Sequence, residues 1–76
     1  MKEILELIIT NLVDDKNAIS IEEITEGNVI TFKVSVSIDD MGKVIGKQGR
    51  IAKAIRVLMK AYATKEGKKV NVEILD

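Results

Sequence analysis

The residues with the clearest capacity for chemistry form a short turn in which two glycines flank a lysine and a glutamine, Gly46-Lys47-Gln48-Gly49. Because glycine has no Cβ atom, a sugar-phosphate strand can approach the main chain closely at such a turn. A helical pattern follows, and the N–H groups at the start of a helix favour an anion. Lys47 adds a positive charge and Gln48 an amide donor. We therefore interpret the turn as a clamp for a phosphate backbone. The alternative is a helix-to-helix turn without a ligand.

Positive charge surrounds this turn in the sequence. Residues 41–65 contain seven Lys or Arg residues and no Asp or Glu. Residues 1–40 have three basic and nine acidic residues, a net charge of −6, whereas residues 41–76 have nine basic and three acidic residues, a net charge of +6. Four of the basic residues recur at spacings of three and four and predict a stripe along a helix: Arg50, Lys53, Arg56 and Lys60. This polarity indicates a face that binds a polyanion, with an ordinary solvated helix as the alternative.

The composition argues against catalysis and metal binding. The chain has no histidine and no cysteine, which removes the commonest general base, the most reactive nucleophile and most transition-metal ligands. Asp39 and Asp40 are the best acid pair, and we interpret them as a helix cap. Gln48 stands where a Walker phosphate loop needs Ser or Thr. We therefore predict no catalytic residue, no cofactor, no metal and no enzymatic activity.

Length and hydropathy favour a single small domain over residues 1–76. No apolar run approaches the roughly 20 residues that span a bilayer. The apolar N-terminus is interrupted by Glu3 and Glu6, unlike a signal peptide. These features predict a cytoplasmic protein without a membrane partner.

The hydrophobic pattern predicts the elements that position the turn. Apolar residues at helical spacing predict a helix over residues 2–13. Residues 18–25 read as a strand with Ile24 out of step, which suggests a bulge or a twist at the Glu22-Glu23 pair. After a turn at residues 26–28, strict alternation predicts a strand whose buried face carries Ile30, Phe32, Val34, Val36 and Ile38. The two strands should form an antiparallel hairpin.

Two helices and a strand complete the predicted fold. A short helix over residues 41–45 precedes the turn, and a longer one follows over residues 50–64. Its predicted buried face carries Ile51, Ala54, Ile55, Leu58 and Tyr62. Gly67 is expected in the left-handed region at its end, before a strand with Val70, Val72 and Ile74. The order α-β-β-α-α-β predicts an α+β domain with a mixed three-stranded sheet and the helices on one face.

The segment Val44-Ile45-Gly46-Lys47-Gln48-Gly49-Arg50 resembles the V-I-G-x-x-G hallmark of the KH domain family. Because an αβ unit precedes the β-α-α-β remainder, the chain is similar to the prokaryotic type II arrangement. Within the family it is most similar to the short bacterial stand-alone members. The resemblance extends over essentially the whole chain.

This resemblance implies that the GxxG loop holds the backbone of about four nucleotides of single-stranded RNA. It also implies an aliphatic groove for the bases, closed on its other side by the loop at residues 65–69. We assign to RNA binding the residues Val44, Ile45, Gly46, Lys47, Gln48, Gly49, Arg50, Ile51 and Lys53. Phe32 and Tyr62, the only aromatic residues, are predicted in the core, which argues against recognition by aromatic stacking.

The same resemblance implies partners and a physiological setting. It suggests a homodimer, a heterodimer with a larger protein that has its own KH domain, and a post-transcriptional or RNA-chaperone role linked to cell shape and envelope growth. Two copies would gain avidity, because one KH domain contacts few nucleotides. Residues 4–13, or Val57 and Met59, are the predicted self-association surfaces. Single-stranded DNA as ligand, and a protein-interaction or assembly module with little RNA binding, remain as alternatives.

Overall fold

The computed structural model describes residues 1–75, and the main chain alone of Lys47. Its helices and strands follow the order predicted from the sequence. They are α1 (Lys2–Leu12), β1 (Ser20–Glu26), β2 (Val29–Ser35), α2 (Ile38–Ile45), α3 (Arg50–Lys65) and β3 (Lys69–Leu75). Short 3₁₀ segments lie at Lys16–Ala18 and Lys47–Gly49. The predicted α+β class is confirmed.

The three strands form one mixed sheet with β2 in the centre. β1 pairs with β2 antiparallel through the two-residue loop Gly27-Asn28, and β3 pairs with β2 in parallel. Pairing of β1 runs without interruption from Ser20 to Glu26, so the predicted bulge is wrong. Ile24 is out of step because it lies on the outer face of the sheet, opposite Thr31.

The core lies between the sheet and the helices. Alternate residues of β2 are buried, and they pack with Leu5 and Ile9 of α1, Val44 of α2 and Met59 of α3. The alternating pattern stops earlier than predicted, because β2 ends at Ser35 and Ile38 is an exposed residue at the start of α2. Helices therefore cover one face of the sheet, as the element order predicted.

The buried face of α3 is rotated relative to the prediction. Leu58 and Tyr62 are 51% and 39% exposed, whereas the residues that face the sheet are Ala52, Ile55, Met59 and Ala63. The small side chains of Ala52 and Ala63 allow the helix to approach the sheet closely, so that face becomes the buried one. Two predictions are thereby wrong: Met59 is fully buried and cannot be a self-association surface, and Tyr62 is not a core residue.

Candidate nucleic-acid interface

The two-glycine turn has an unusual main-chain conformation. Gly46 ends α2 with φ +73° and ψ −179°, and its N–H donates to the Gly42 carbonyl at 2.8 Å. Gln48 and Gly49 then lie in the left-handed region, with φ values of +56° and +74°. A left-handed glutamine is a conformation that side chains rarely adopt and that concentrates at functional sites. This conformation ends α2 at Ile45 and lets α3 begin at Arg50.

Packing against Ile51 leaves no room for a side chain at Gly46. A Cβ at this position would lie 2.5 Å from Cγ1 of Ile51, closer than real Cβ atoms approach a neighbour. The combination of φ and ψ at Gly46 is also essentially restricted to glycine. Ile51 therefore packs against the bare main chain of Gly46 and fixes the turn to the first turn of α3.

Gly49 presents the opposite situation. A Cβ at Gly49 would meet no described atom within 4 Å, with the Lys47 side chain left aside, and Gln48 beside it is exposed. Gly49 is also the N-cap residue of α3, and because it has no side chain it supplies no side-chain cap to the N–H groups of that first turn. The outer side of the turn therefore combines open main chain with the positive end of a sixteen-residue helix. This arrangement can accept a phosphate group.

A buried carboxylate holds the other end of α2 in place. Asp40 is 2% exposed, and its carboxylate accepts hydrogen bonds from the N–H groups of Asp14 and Asp15 at 3.2 and 3.0 Å and from the Ser37 hydroxyl at 3.2 Å. The N–H groups of Asp15 and Asp14 lower the pKa of Asp40 to about 2. The predicted capping role is therefore corrected. Ser37 is the N-cap of α2, and Asp40, inside its first turn, binds the segment that follows α1.

Lys43 lies near the turn in sequence, but its charge is already paired. Its ammonium group donates to the carboxylate of Asp14 and lies 3.4 Å from a carboxylate oxygen of Asp40. The hydrogen bond to Asp14 raises the pKa of Lys43 above its ordinary value. Lys43 therefore contributes to the attachment of α2 to the end of α1, and it offers less charge to an anion than the sequence suggests.

The basic residues of α3 divide between two sides of the helix: Arg56 and Lys60 lie next to β3, whereas Arg50 and Lys53 lie beside the exposed Val57. Lys53, Arg56 and Lys60 are exposed, and Arg56 Nε donates to the Val72 carbonyl of β3 at 3.1 Å. A cleft of about 430 Å³ opens beside this contact. It is lined by Thr31, Arg56, Lys60, Val70, Asn71, Val72 and Glu73. Only the last two residues of the predicted basic stripe, Arg56 and Lys60, therefore reach the edge of the sheet.

The structure groups most, but not all, of the predicted site residues. Ile45, Gly46–Gly49 and Arg50 meet at the turn, and Lys53 lies one helical turn further along α3. Ile51 is half-buried on the side of α3 that faces Ile8 and Leu12 of α1, across the helix from the cleft. Val44 is fully buried in the core, so it supports the turn from below and offers no surface to a ligand in this conformation.

The cleft itself was not part of the predicted site. Arg56 and Lys60 belong to the predicted basic stripe, but the sequence contains no signal that Asn71 and Glu73 of β3 lie beside them. That proximity depends on how α3 packs across β3. The i+3 and i+7 spacing of Arg56 and Lys60 from Lys53 was the available clue.

A two-glycine turn between two helices, on a mixed three-stranded sheet with the order α-β-β-α-α-β, defines a KH domain. The chain matches the family described as "KhpA/KhpB, KH domain" over residues 2–74, and it belongs to this family. This is a family of KH domains and not of enzymes. Within residues 1–75, no helix has the length and apolar character required to cross a membrane.

Similar proteins share the full length of the chain. It is 53% identical over 75 residues to the RNA-binding protein KhpA of Clostridium perfringens. This alignment covers 99% of this chain and 100% of the relative. It is 46% identical to the RNA-binding protein KhpA of Listeria monocytogenes over 100% of both chains. For the RNA-binding protein KhpA of Chlamydia trachomatis the identity is 41%, over 100% of this chain and 97% of the relative. No solved structure matches the chain.

Proposed function

We propose that this protein binds single-stranded RNA and holds its sugar-phosphate backbone at the turn Gly46–Gly49. The observation that carries the proposal is the open main chain at Gly49, next to an exposed Gln48 and at the uncapped start of α3. Relatives with 41–53% identity are named RNA-binding proteins, which supports the same ligand class here. Recognition by shape and backbone contact is the usual mode of this kind of loop.

The proposed contacts divide into direct and supporting roles. We assign Lys47, Gln48, Gly49 and the N–H groups that follow to contact with the phosphates, and Arg50 and Lys53 would add charge along α3. Gly46 and Ile51 fix the shape of the turn through their mutual contact, with Ile45 half-buried at the end of α2. Val44 supports the turn from the core. The bases would then lie towards β3 and the loop at residues 65–69.

A charge-reversal variant tests the clamp directly. In Lys47→Asp/Gln48→Asp two carboxylates would face the phosphates, so we expect RNA affinity to fall by at least about tenfold while the fold is retained. The matched control is Lys16→Asp/Asn17→Asp, because it makes the same change in net charge in an exposed segment after α1. Fluorescence anisotropy with a short unstructured RNA would measure both. Equal losses in the two variants would reject the turn as the clamp.

The choice between RNA and DNA is a separate question. The sugar 2′-hydroxyl is the group through which a protein distinguishes the two at a given site. We propose RNA as the natural ligand, on the basis of the names of the relatives. Matched RNA and DNA oligomers of one sequence test this, and tighter binding of the DNA oligomer would contradict it.

We further propose a cytoplasmic, post-transcriptional role, as an RNA regulator or chaperone connected with cell shape and envelope growth. This part rests on the resemblance to the short bacterial KH proteins. Crosslinking the protein to RNA in cells and sequencing the attached RNA would test it. Enrichment of transcripts unrelated to envelope growth would contradict the physiological part and leave the RNA-binding part standing.

Self-association is supported by an apolar stripe on α3 that points away from the core. Val57 and Leu58 are 60% and 51% exposed, and Ala54 and Ala61 lie next to them. We propose that a second copy, or the KH domain of a larger partner, covers this stripe. Val57→Asp should convert a dimer to a monomer in analytical ultracentrifugation, whereas Lys65→Asp at the end of α3 should not. A monomeric wild-type protein would contradict the homodimer.

The alternative function is a protein-interaction module with little RNA binding of its own. The exposed stripe on α3 is the specific observation in its favour, because it offers a surface for a protein and not for a phosphate backbone. The two functions separate in one comparison: RNA binding that survives Val57→Asp but not Lys47→Asp/Gln48→Asp supports the first. Little RNA binding by the wild-type protein, together with a protein complex that is lost in Val57→Asp, supports the second.

A further inference from the structure

The exposed apolar stripe of α3 is self-complementary. Val57 and Leu58 lie at its centre, and Ala54 and Ala61 lie three residues before and after them along one shallow apolar groove. A second copy rotated by 180° about the midpoint of this groove would place Ala54 beside Ala61 of the partner subunit, and Val57 beside Leu58 of the partner subunit. The small alanine side chains would let two such helices approach closely.

The two ends of α3 differ in charge. Arg50 and Lys53 line the groove at the N-terminal end, where the positive end of the helix dipole adds to them. At the C-terminal end the charges of Lys65 and Glu66 cancel, and the negative end of the dipole remains. Parallel packing of two copies of α3 would bring the two positive ends together. Antiparallel packing would place each positive end beside the negative end of the partner helix, so the charges favour this arrangement.

We propose that two copies of this chain pack antiparallel through α3, with their two-glycine turns at opposite ends of the helix pair, and that one RNA strand reaches both turns. The inference rests on the proposed function, because it requires RNA at the turn and a second copy on the stripe. It also specifies the class of RNA. The preferred ligand has two contacted segments joined by a spacer, and is not a single short motif.

The length of α3 determines the length of that spacer. Gly49 lies about 13 Å before the midpoint between Val57 and Leu58, at a rise of 1.5 Å per residue. The two turns are therefore about 25 Å apart along the helix pair. A strand at stacked spacing advances about 3.4 Å per nucleotide, so about seven nucleotides cover this distance. With about four nucleotides held at each turn, a strand of about 15 nucleotides occupies both.

Introduced thiols test the packing, because the sequence has no cysteine. A disulfide requires two Cα atoms within about 7 Å of each other. Ala54→Cys and Ala61→Cys, mixed and mildly oxidised, should therefore form a covalent dimer, and this product should be largely lost when either variant is oxidised alone. Covalent dimers of each variant with itself would show parallel packing and overturn the inference. A protein that sediments as a dimer without any of these crosslinks would overturn it as well.

Two RNA oligomers of different length test whether one strand reaches both turns. We expect the wild type to bind an unstructured oligomer of about 18 nucleotides about a hundredfold more tightly than one of about six, through avidity. In Val57→Asp this ratio should fall to the few-fold that a larger number of binding positions provides. The matched control Asn17→Asp makes the same change in charge at an exposed residue far along the chain from α3, and should keep the wild-type ratio.

The outcomes separate this inference from the function on which it rests. An equal length dependence in the wild type and in Val57→Asp would overturn the shared strand, while RNA binding at the turn would stand. Failure of the wild type to bind either oligomer would overturn the proposed RNA binding and the shared strand together. The disulfide experiment contains no RNA, so it would still decide the packing of α3.

Discussion

The two ends of α2 differ in how completely their polar groups are paired. At the N-terminal end, the carboxylate of Asp40 is buried and accepts hydrogen bonds from two main-chain N–H groups and from the Ser37 hydroxyl. At the C-terminal end, Gln48 and Gly49 are left-handed, and the N-cap residue Gly49 has no side chain with which to cap the N–H groups that begin α3. The first end is closed to ligands and the second is open.

One end of α2 therefore attaches the helix to the rest of the domain, and the other end leaves main-chain groups available to a ligand. A turn that holds a strained conformation and leaves N–H groups unpaired needs support from its surroundings. The network around Asp40 supplies that support at the other end of α2, and Ile51 supplies it at Gly46. The lysines near the two ends differ in the same way. Lys43 is paired with carboxylates, whereas Lys53, beyond the turn, is exposed.

The largest effect on stability should come from Gly46→Ala. The new methyl group would clash with Ile51 and would hold alanine in a glycine-only conformation, so we expect a loss of about 3 kcal/mol in the free energy of unfolding. Gly49→Ala meets no atom and should cost about 1–2 kcal/mol, from its left-handed conformation alone. Urea denaturation measures both. Equal losses of unfolding free energy in the two variants would show that the contact between Gly46 and Ile51 adds nothing to the cost of the backbone conformation.

The next largest effect should follow from Asp40→Ala. The N–H groups of Asp14 and Asp15 would lose their acceptor, and Lys43 one of its two carboxylate partners. We expect a clear decrease in the melting temperature, whereas Asp39→Ala, at an exposed neighbour with the same charge, should change it little. Similar decreases in both variants would mean that net charge, and not the buried network, stabilises α2.

The pH dependence of stability should report the same network. The pKa of Asp40 is about 2 in the folded protein, below its ordinary value of 3.8. A lowered pKa means that this group stabilises the fold above about pH 4, and that the contribution is lost as the pH falls from about 4 towards 2. Thermal unfolding at a series of pH values should show a steeper decline for the wild type than for Asp40→Ala. Parallel curves would contradict the assignment.

Much of the fold could be predicted from the sequence because local patterns determine it. The alternation in β2, the helical spacing in α1 and the position of Gly67 fixed the elements within a few residues. The predicted bulge failed because Ile24 is an apolar residue on the outer face of the sheet, and an apolar residue out of phase resembles a bulge. The predicted end of β2 was wrong because Val36 and Ile38 continue the alternation of apolar residues beyond the last paired residue, Ser35.

The candidate site could be predicted only in part, because some of its residues come together through tertiary packing. The two glycines and the cations around them indicated the turn, and the V-I-G-x-x-G resemblance favoured a clamp over a turn without a ligand. The face of α3 was misjudged because the helix has two apolar stripes, and only packing decides that Met59 faces the sheet and Leu58 the solvent. The contact between Arg56 and Val72 depends on tertiary structure, so no local pattern could have indicated it.

The smallest expected effect compares two lysines of equal charge. Lys43 is paired with Asp14 and Asp40, so Lys43→Met should leave the salt dependence of RNA binding almost unchanged. Lys53 is exposed beyond the turn, and its loss should reduce the slope of log affinity against log salt by about 0.7, the value for one phosphate contact with a single strand. Titrations at several salt concentrations measure both slopes. A reduced slope for Lys43→Met would show that RNA displaces the carboxylates, and the closed end of α2 would then be part of the binding surface.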